Sequence, residues 1–341
     1  MTEKKDTLLA RGGLTRLGKG KLAWKALTAG AVLAVIVLGG IAIAGRLGPK
    51  SGSANATAKL GPAPPAVKPE KGVIVFQSRI DGLWQIFSLD LSSGVRKRLT
   101  RSQADDITPS VSPDGSWILF QSSRSGSADV WRMRADGAGA ERLTAAELDC
   151  FDPCWGGDGS FILYSSRRSG RENIFAMDLG TRRERQLTDN FWSSILPSIS
   201  FDDSAIVFAR SKLGWDIYRM NADGSNVIGL TDIGGNCRPD WSPDGKRIAY
   251  VSDVADGMGD VWTMAADGGN KVRITPGDDS YDYNPAWSPC GRWLVYETTK
   301  GSKNNPWSLA VIPASGGTPF LLTPPGANDR FPDWAPGKDD R

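Results

Sequence analysis

The chain has 341 residues, with 41 Lys/Arg against 38 Asp/Glu, and its net charge of +3 is unevenly spread: residues 1–71 carry 12 against 3 (+9) and residues 72–341 carry 29 against 35 (−6). The mildly acidic larger part lacks the basic face by which a protein grips phosphates, so nucleic acid is not expected as a partner. Histidine is absent, which excludes imidazole bases, His-containing triads and His-ligated metals. The four cysteines, Cys150, Cys154, Cys237 and Cys290, match no paired metal-binding spacing. Cys150 and Cys154 read either as a disulfide of an exported domain or as small buried side chains.

Residues 1–25 form a basic N-terminus holding Lys4, Lys5, Arg11, Arg16, Lys19, Lys21 and Lys25. Residues 26–45 contain no charge and centre on Ala31–Leu38. As a helix rising about 1.5 Å per residue, this run spans the roughly 30 Å hydrocarbon core of a bilayer. The cationic flank predicts a single-pass anchor in the bacterial inner membrane, with the N-terminus in the cytoplasm and the rest in the periplasm or an equivalent extracytoplasmic space. A cleaved signal peptide is the competing reading, because Ala42-Ile43-Ala44 resembles a cleavage site. Residues 46–71 are rich in Pro, Ala and Gly, with too little apolar surface to fold, and read as a flexible linker.

Beyond residue 71 the chain repeats. Leu99-Thr100, Leu143-Thr144, Leu187-Thr188, Leu230-Thr231, Ile274-Thr275 and Leu322-Thr323 follow one another at intervals of 44, 44, 43, 44 and 48 residues. Periods of 40–50 residues mark propellers and solenoids. One unit, residues 101–144, reads as four short strands: Pro109–Ser112, Trp117–Gln121, Asp129–Met133 and Glu141–Thr144. They are separated by the turns Pro113-Asp-Gly115, Arg124-Ser-Gly126 and Ala135-Asp-Gly137. Proline recurs at the first strand of each unit (Pro109, Pro153, Pro197, Pro239, Pro285, Pro332), and two residues later stands Val111, Trp155, Ile199, Trp241, Trp287 or Trp334. Tryptophans phased in this way are expected between neighbouring sheets.

Residues 72–100 supply only the second, third and fourth strands of a unit, and the missing first strand stands at the far end, around Phe331–Pro336. A ring that joins its last strand to its first sheet leaves no edge to pair with other chains. The fold expected for residues 72–341 is therefore an all-β, six-bladed propeller of four-stranded antiparallel blades, closed by the C-terminal strand.

The repeat, as in Asp282-Tyr-Asn-Pro285-Ala-Trp-Ser-Pro289 or Pro239-Asp-Trp-Ser-Pro-Asp-Gly245, resembles the TolB-type propeller repeat, also called the WD40-like PD40 repeat. The resemblance covers residues 72–341. It implies a six-bladed propeller outside the cytoplasm that serves as a protein-interaction platform; in the periplasmic TolB protein the propeller binds a peptidoglycan-associated lipoprotein. The α/β domain that precedes the propeller there has the apolar run and linker in its place here.

In a propeller, the loops entering the first strands gather at one mouth of the central channel. Three residues before each opening proline stand Asp106, Cys150, Ser194, Asn236, Asp282 and Asp329. Asp106, Asp282 and Asp329 are the weak candidates for Ca²⁺, a hard cation that takes oxygen ligands; the alternative is that such side chains cap local turns. No other cofactor is expected. Trp192, Arg238, Tyr281, Tyr283 and Arg330 break the repeat in the same region, and aromatic residues and arginine favour interface hot spots. The binding candidates are thus Asp106, Trp192, Asn236, Arg238, Tyr281, Asp282, Tyr283, Asp329 and Arg330. The expected role is a membrane-anchored module that binds a protein or peptide partner within an envelope or membrane complex, without catalysis. The alternatives are a propeller enzyme acting on polysaccharide or peptide through paired carboxylates, and a small-molecule or metal sensor.

Overall fold

A computed structural model describes residues 69, 71–145 and 148–336, which contain no helix. The anchor expected at 26–45 and nearly all of the linker at 46–71 lie outside these residues. Among the described residues no helix is long and apolar enough to cross a membrane.

Blade 1 holds β1 (Val73–Ile80), β2 (Leu83–Asp90) and β3 (Arg96–Arg98); blade 2 holds β4 (Asp106–Val111), β5 (Trp117–Ser122), β6 (Asp129–Arg134) and β7 (Glu141–Arg142). Blade 3 is β8 (Cys150–Trp155), β9 (Phe161–Ser166), β10 (Asn173–Asp178) and β11 (Glu184–Gln186), and blade 4 is β12 (Ser194–Ile199), β13 (Ala205–Ser211), β14 (Trp215–Asn221) and β15 (Ile228–Gly229). Blade 5 is β16 (Asn236–Trp241), β17 (Arg247–Ser252), β18 (Asp260–Ala265) and β19 (Val272–Arg273). Blade 6 is β20 (Ser280–Trp287), β21 (Trp293–Lys300), β22 (Ser308–Pro313) and β23 (Phe320–Leu321), followed by β24 (Asp329–Ala335). The six sheets are four-stranded, and β24 pairs antiparallel with β1 to complete blade 1. The ring is closed by both termini of the repeat region, as its split first unit predicts.

The core is divided into six clusters, one between each pair of neighbouring blades. Val75, Ile86 and Leu99 of blade 1 meet Ile118, Phe120 and Met133 of blade 2. Ile74, Phe76, Phe87 and Trp334 of blade 1 meet Ala286, Val295, Leu309 and Val311 of blade 6. Trp155, Trp241 and Trp287 fill the corresponding gaps elsewhere, at 5–7% exposure. These phased tryptophans are packing residues, as their spacing suggests.

The Leu-Thr pair has a specific task. Leu99, Leu143, Leu187, Leu230 and Ile274 are buried against the following blade. The hydroxyls of Thr100, Thr144, Thr188, Thr231, Thr275 and Thr323 accept the N–H of Ile86, Val130, Ile174, Ile217, Val261 and Leu309 at 2.9–3.1 Å. Five of these threonines also donate, to Gln85, Asp129, Asn173, Asp216 and Asp260. The first residue of the next blade's inner strand shares this polar girdle: Asn236 Nδ2, for example, donates to Asp216 Oδ1 at 3.1 Å.

Between blades 5 and 6 the girdle contains two acids, Asp260 and Asp282, each at most 2% exposed and each with one buried oxygen lacking a partner among the described residues. Burial pushes the Asp282 carboxyl up to about 7, and the nearby Asp260 carboxylate adds to the effect.

The four cysteines are free thiols. Cys150 and Cys154 lie on one strand, β8, so the disulfide reading gives way to the reading as small side chains.

Three outcomes follow from this packing. Deleting residues 324–341 removes β24 and Trp334, so the shortened chain should aggregate or lose its cooperative melting transition; an unchanged transition in calorimetry contradicts ring closure. Thr231→Val strips the Ile217 N–H and Asp216 of a partner and should cost roughly 1–3 kcal/mol in a urea titration. Asp282 binds its proton more tightly folded than unfolded, so its contribution turns destabilising as pH rises from about 4 through 7 and is constant above. Asp282→Asn should accordingly raise stability at pH 8 by about 1–3 kcal/mol and change it little at pH 4.

Candidate functional site

The inner strands β4, β8, β12, β16, β20 and β24 line the central channel. Each carries a bulge where the ladder to its neighbour slips. The residue before the opening proline sits in this bulge with a left-handed backbone: Thr108 (φ 48°), Asp152 (49°), Leu196 (58°), Arg238 (56°), Asn284 (51°) and Phe331 (52°). Such conformations cost a non-glycine residue on the order of 1–3 kcal/mol. In return, each bulge brings a side chain into the ring that lines a cavity of about 160 Å³. Proline suits the next position because it withholds an N–H that the slipped ladder does not need.

This placement alters the sequence-derived site. Asp106, Asn236, Asp282 and Asp329 begin or lie within inner strands rather than in the loops before them, and all are at most 2% exposed. Asp106 accepts from Ser122 Oγ (2.6 Å), Arg124 Nη2 (2.7 Å) and Ser102 Oγ (2.8 Å). Asp329 takes two hydrogen bonds of 2.8 Å from the Arg96 guanidinium. The three carboxylates offered for Ca²⁺ lie on blades 2, 6 and 1. Among the described residues no group of three His, Cys, Asp or Glu side chains is placed to hold a metal ion. The oxygens of Asp106 and Asp329 are taken instead by Ser122, Arg124 and Arg96 of their own blades.

Arg238 does face the channel. Its guanidinium lies 4.7 Å from the centre of the Phe331 ring and 3.9 Å from Asp152 Oδ1, across the channel from blade 5 to blade 3. Arg330 stacks over Trp307 at 4.5 Å and Phe331 at 5.5 Å, and donates to the fully buried Glu297 at 2.7 Å. Trp307 meets Tyr283 edge to face at 5.7 Å. Lys303 Nζ lies 5.1 Å from the ring centres of both Tyr281 and Tyr283. Gly259 makes room for Tyr283, since a Cβ there would stand 2.3 Å from its ring. Four predicted residues (Arg238, Tyr281, Tyr283, Arg330) thus join one ladder of alternating cations and rings, running from the outer loops of blade 6 into the channel. Trp192 stands apart on blade 4, with Lys212 over its ring at 5.1 Å and Phe191 edge-on at 6.4 Å.

The sequence reading missed the Arg238 surroundings, Asp152 and Phe331, together with Lys303 and Trp307. A usable signal existed for the first two: the residue before each proline is the repeat position where six copies carry six different residues.

Towards the other end, Asp240 and Asp333 enter the channel wall two residues further along their strands. Asp240 accepts from Ser198 Oγ (3.0 Å) and the Trp287 N–H (3.1 Å), and Asp333 accepts the Val111 N–H (2.6 Å). Burial, reinforced by Asp333, pushes the Asp240 carboxyl up to about 7. Burial also raises Asp333 and Asp152 above the ordinary carboxyl range. Below these acids the channel widens into a cavity of about 900 Å³, rimmed by the turns that carry Pro113, Pro243 and Pro289.

The profile of the PD40 family, described as the TolB beta propeller domain, matches residues 50–215 and 195–339. An uncharacterized protein of Agrobacterium fabrum is 31% identical over 99 residues, 29% of this chain and 32% of that protein. The Tol-Pal system protein TolB of Desulfosudis oleivorans is 33% identical over 93 residues, 27% of this chain and 20% of that protein. The chain therefore covers about a third or less of these curated relatives. The crystal structure of TolB from Acinetobacter baumannii superposes with a TM-score of 0.68 at 24% identity, over 78% of this chain and 67% of that one, a likeness of fold. With the family profile extending over the whole ring of repeats, the chain belongs to the PD40 family, the TolB beta propeller domain.

Proposed function

We propose that this chain is a membrane-anchored, extracytoplasmic propeller that binds a protein partner at the channel mouth formed by blades 5, 6 and 1, and works as a non-catalytic interaction module or accessory subunit of an envelope complex. The observation that carries the reading is the strained ring: six positions hold costly left-handed backbones and bring dissimilar side chains to one cavity. A scaffold needing only closure has no use for such variety, and strain of this kind collects at binding sites. Aromatic and cationic groups converge around Arg238, the composition of interface hot spots. The TolB relatives, named for the Tol-Pal system, support an envelope setting. The cationic flank and apolar run of residues 1–45 support the anchor.

A photo-crosslinking amino acid at position 281, in the full chain in its native membrane, should capture a discrete partner, whereas the same probe at Asp136, on an outward turn of blade 2, should not. Equal capture from both positions, or none from 281, overturns docking at this mouth.

A further inference from the structure

Resting on that docking site, the charges within it say what the partner offers. Arg330 is satisfied: Glu297 takes its guanidinium at 2.7 and 3.1 Å and also accepts the Phe331 N–H at 2.7 Å. The other two cations of the ladder are not. Among the described residues, no carboxylate lies within ion-pair distance of the exposed Lys303 ammonium, which is held only over the Tyr281 and Tyr283 rings. Arg238 makes no hydrogen bond to any described residue; its nearest carboxylate oxygen, Asp152 Oδ1 at 3.9 Å, is beyond hydrogen-bond reach. A guanidinium carries five N–H donors in a planar fork that matches a carboxylate, and a stacked ring fixes the plane of that fork without using a donor. Phe331 serves in this way for Arg238.

We infer that Arg238 and Lys303 form a two-point receptor for carboxylates, so that the partner docks through an acidic segment whose side chains reach Lys303 at the rim and Arg238 inside the channel. A cavity of about 160 Å³ at the Arg238 level suits one acidic side chain rather than a folded element. Asp152 competes for the same guanidinium, but from 3.9 Å and without a hydrogen bond to it. Charge-assisted contacts of this kind weaken with salt.

The probe is a hepta-glutamate peptide titrated calorimetrically into the full chain in detergent at low salt, with hepta-glutamine, hepta-lysine and a short oligodeoxythymidylate as comparisons. Hepta-glutamate should bind saturably, and hepta-glutamine and hepta-lysine should not. Arg238→Gln and Lys303→Gln should each weaken binding at least tenfold at an unchanged melting temperature, while Asp152→Asn should tighten it. Equal binding to wild type and both Gln variants overturns the receptor, as does looser binding by Asp152→Asn. Tighter binding of the oligonucleotide overturns the acidic segment as its ligand. Capture of a partner through position 281 without hepta-glutamate binding overturns this inference and leaves the docking reading standing.

Discussion

Each blade needs two things at its outer end, an apolar seal against the next blade and a partner for one buried N–H of its own third strand, and the Leu-Thr pair supplies both. The side chain before the threonine enters the next interblade cluster, and the hydroxyl accepts an N–H near the start of its own blade's third strand. An unpaired N–H at such a depth costs more than the bond itself contributes, so the pair is held at every interface. Stability is thereby spread around the circle as six similar increments. The chain's two ends must meet for the sixth to exist, because Trp334 and Asp329 arrive only with β24.

The same regularity isolates the positions that are free to vary. The threonine, the leucine and the proline are fixed by the interface and the bulge. The residue before the proline is exempt, since its backbone is set by the bulge and its side chain points away from both sheets. Packing imposes nothing there but tolerance of a left-handed φ. Asn284 and Asp152 adopt that conformation readily, whereas Thr108, a β-branched residue, does so against its preference. A ring built in this way can change what it binds without disturbing how it closes.

The ring is legible in the sequence because its determinants are local and repeated: turns, alternating aromatic and β-branched runs, and a period of about 44 residues. The site is legible only in part. Tyr281, Tyr283 and Arg330 stand out as departures from the repeat and do gather beside Arg238. Asp106 and Asp329 look like a polar mouth in one dimension, yet their oxygens are taken by Arg124 and Arg96, from a strand-connecting loop and an outer strand. A bulge shifts the register by a residue and so exchanges inward and outward faces. No spacing rule applied from the proline backwards can anticipate that exchange. Cross-channel neighbours such as Asp152 and Arg238 stand two blades apart, with blade 4 between them, a relation that only the curvature of the ring creates.

The channel is electrically divided along its length. Arg238 holds one level, and Asp240 and Asp333 hold the next. The acids spend oxygens on the Trp287 and Val111 N–H groups, which offsets part of the cost of burying them. Among the described residues no cationic side chain stands at their own level: the inner strands supply Ser110, Cys154, Ser198 and Ala286 beside them. A negative group entering past Lys303, as proposed, would meet attraction at Arg238 and, at pH values above about 7 where more than half of Asp240 is ionised, repulsion immediately beyond. Such a potential admits an acidic side chain to a set depth and stops it there. The wider cavity on the far side is thus separated from the mouth by charge as well as by the narrowness of the ring.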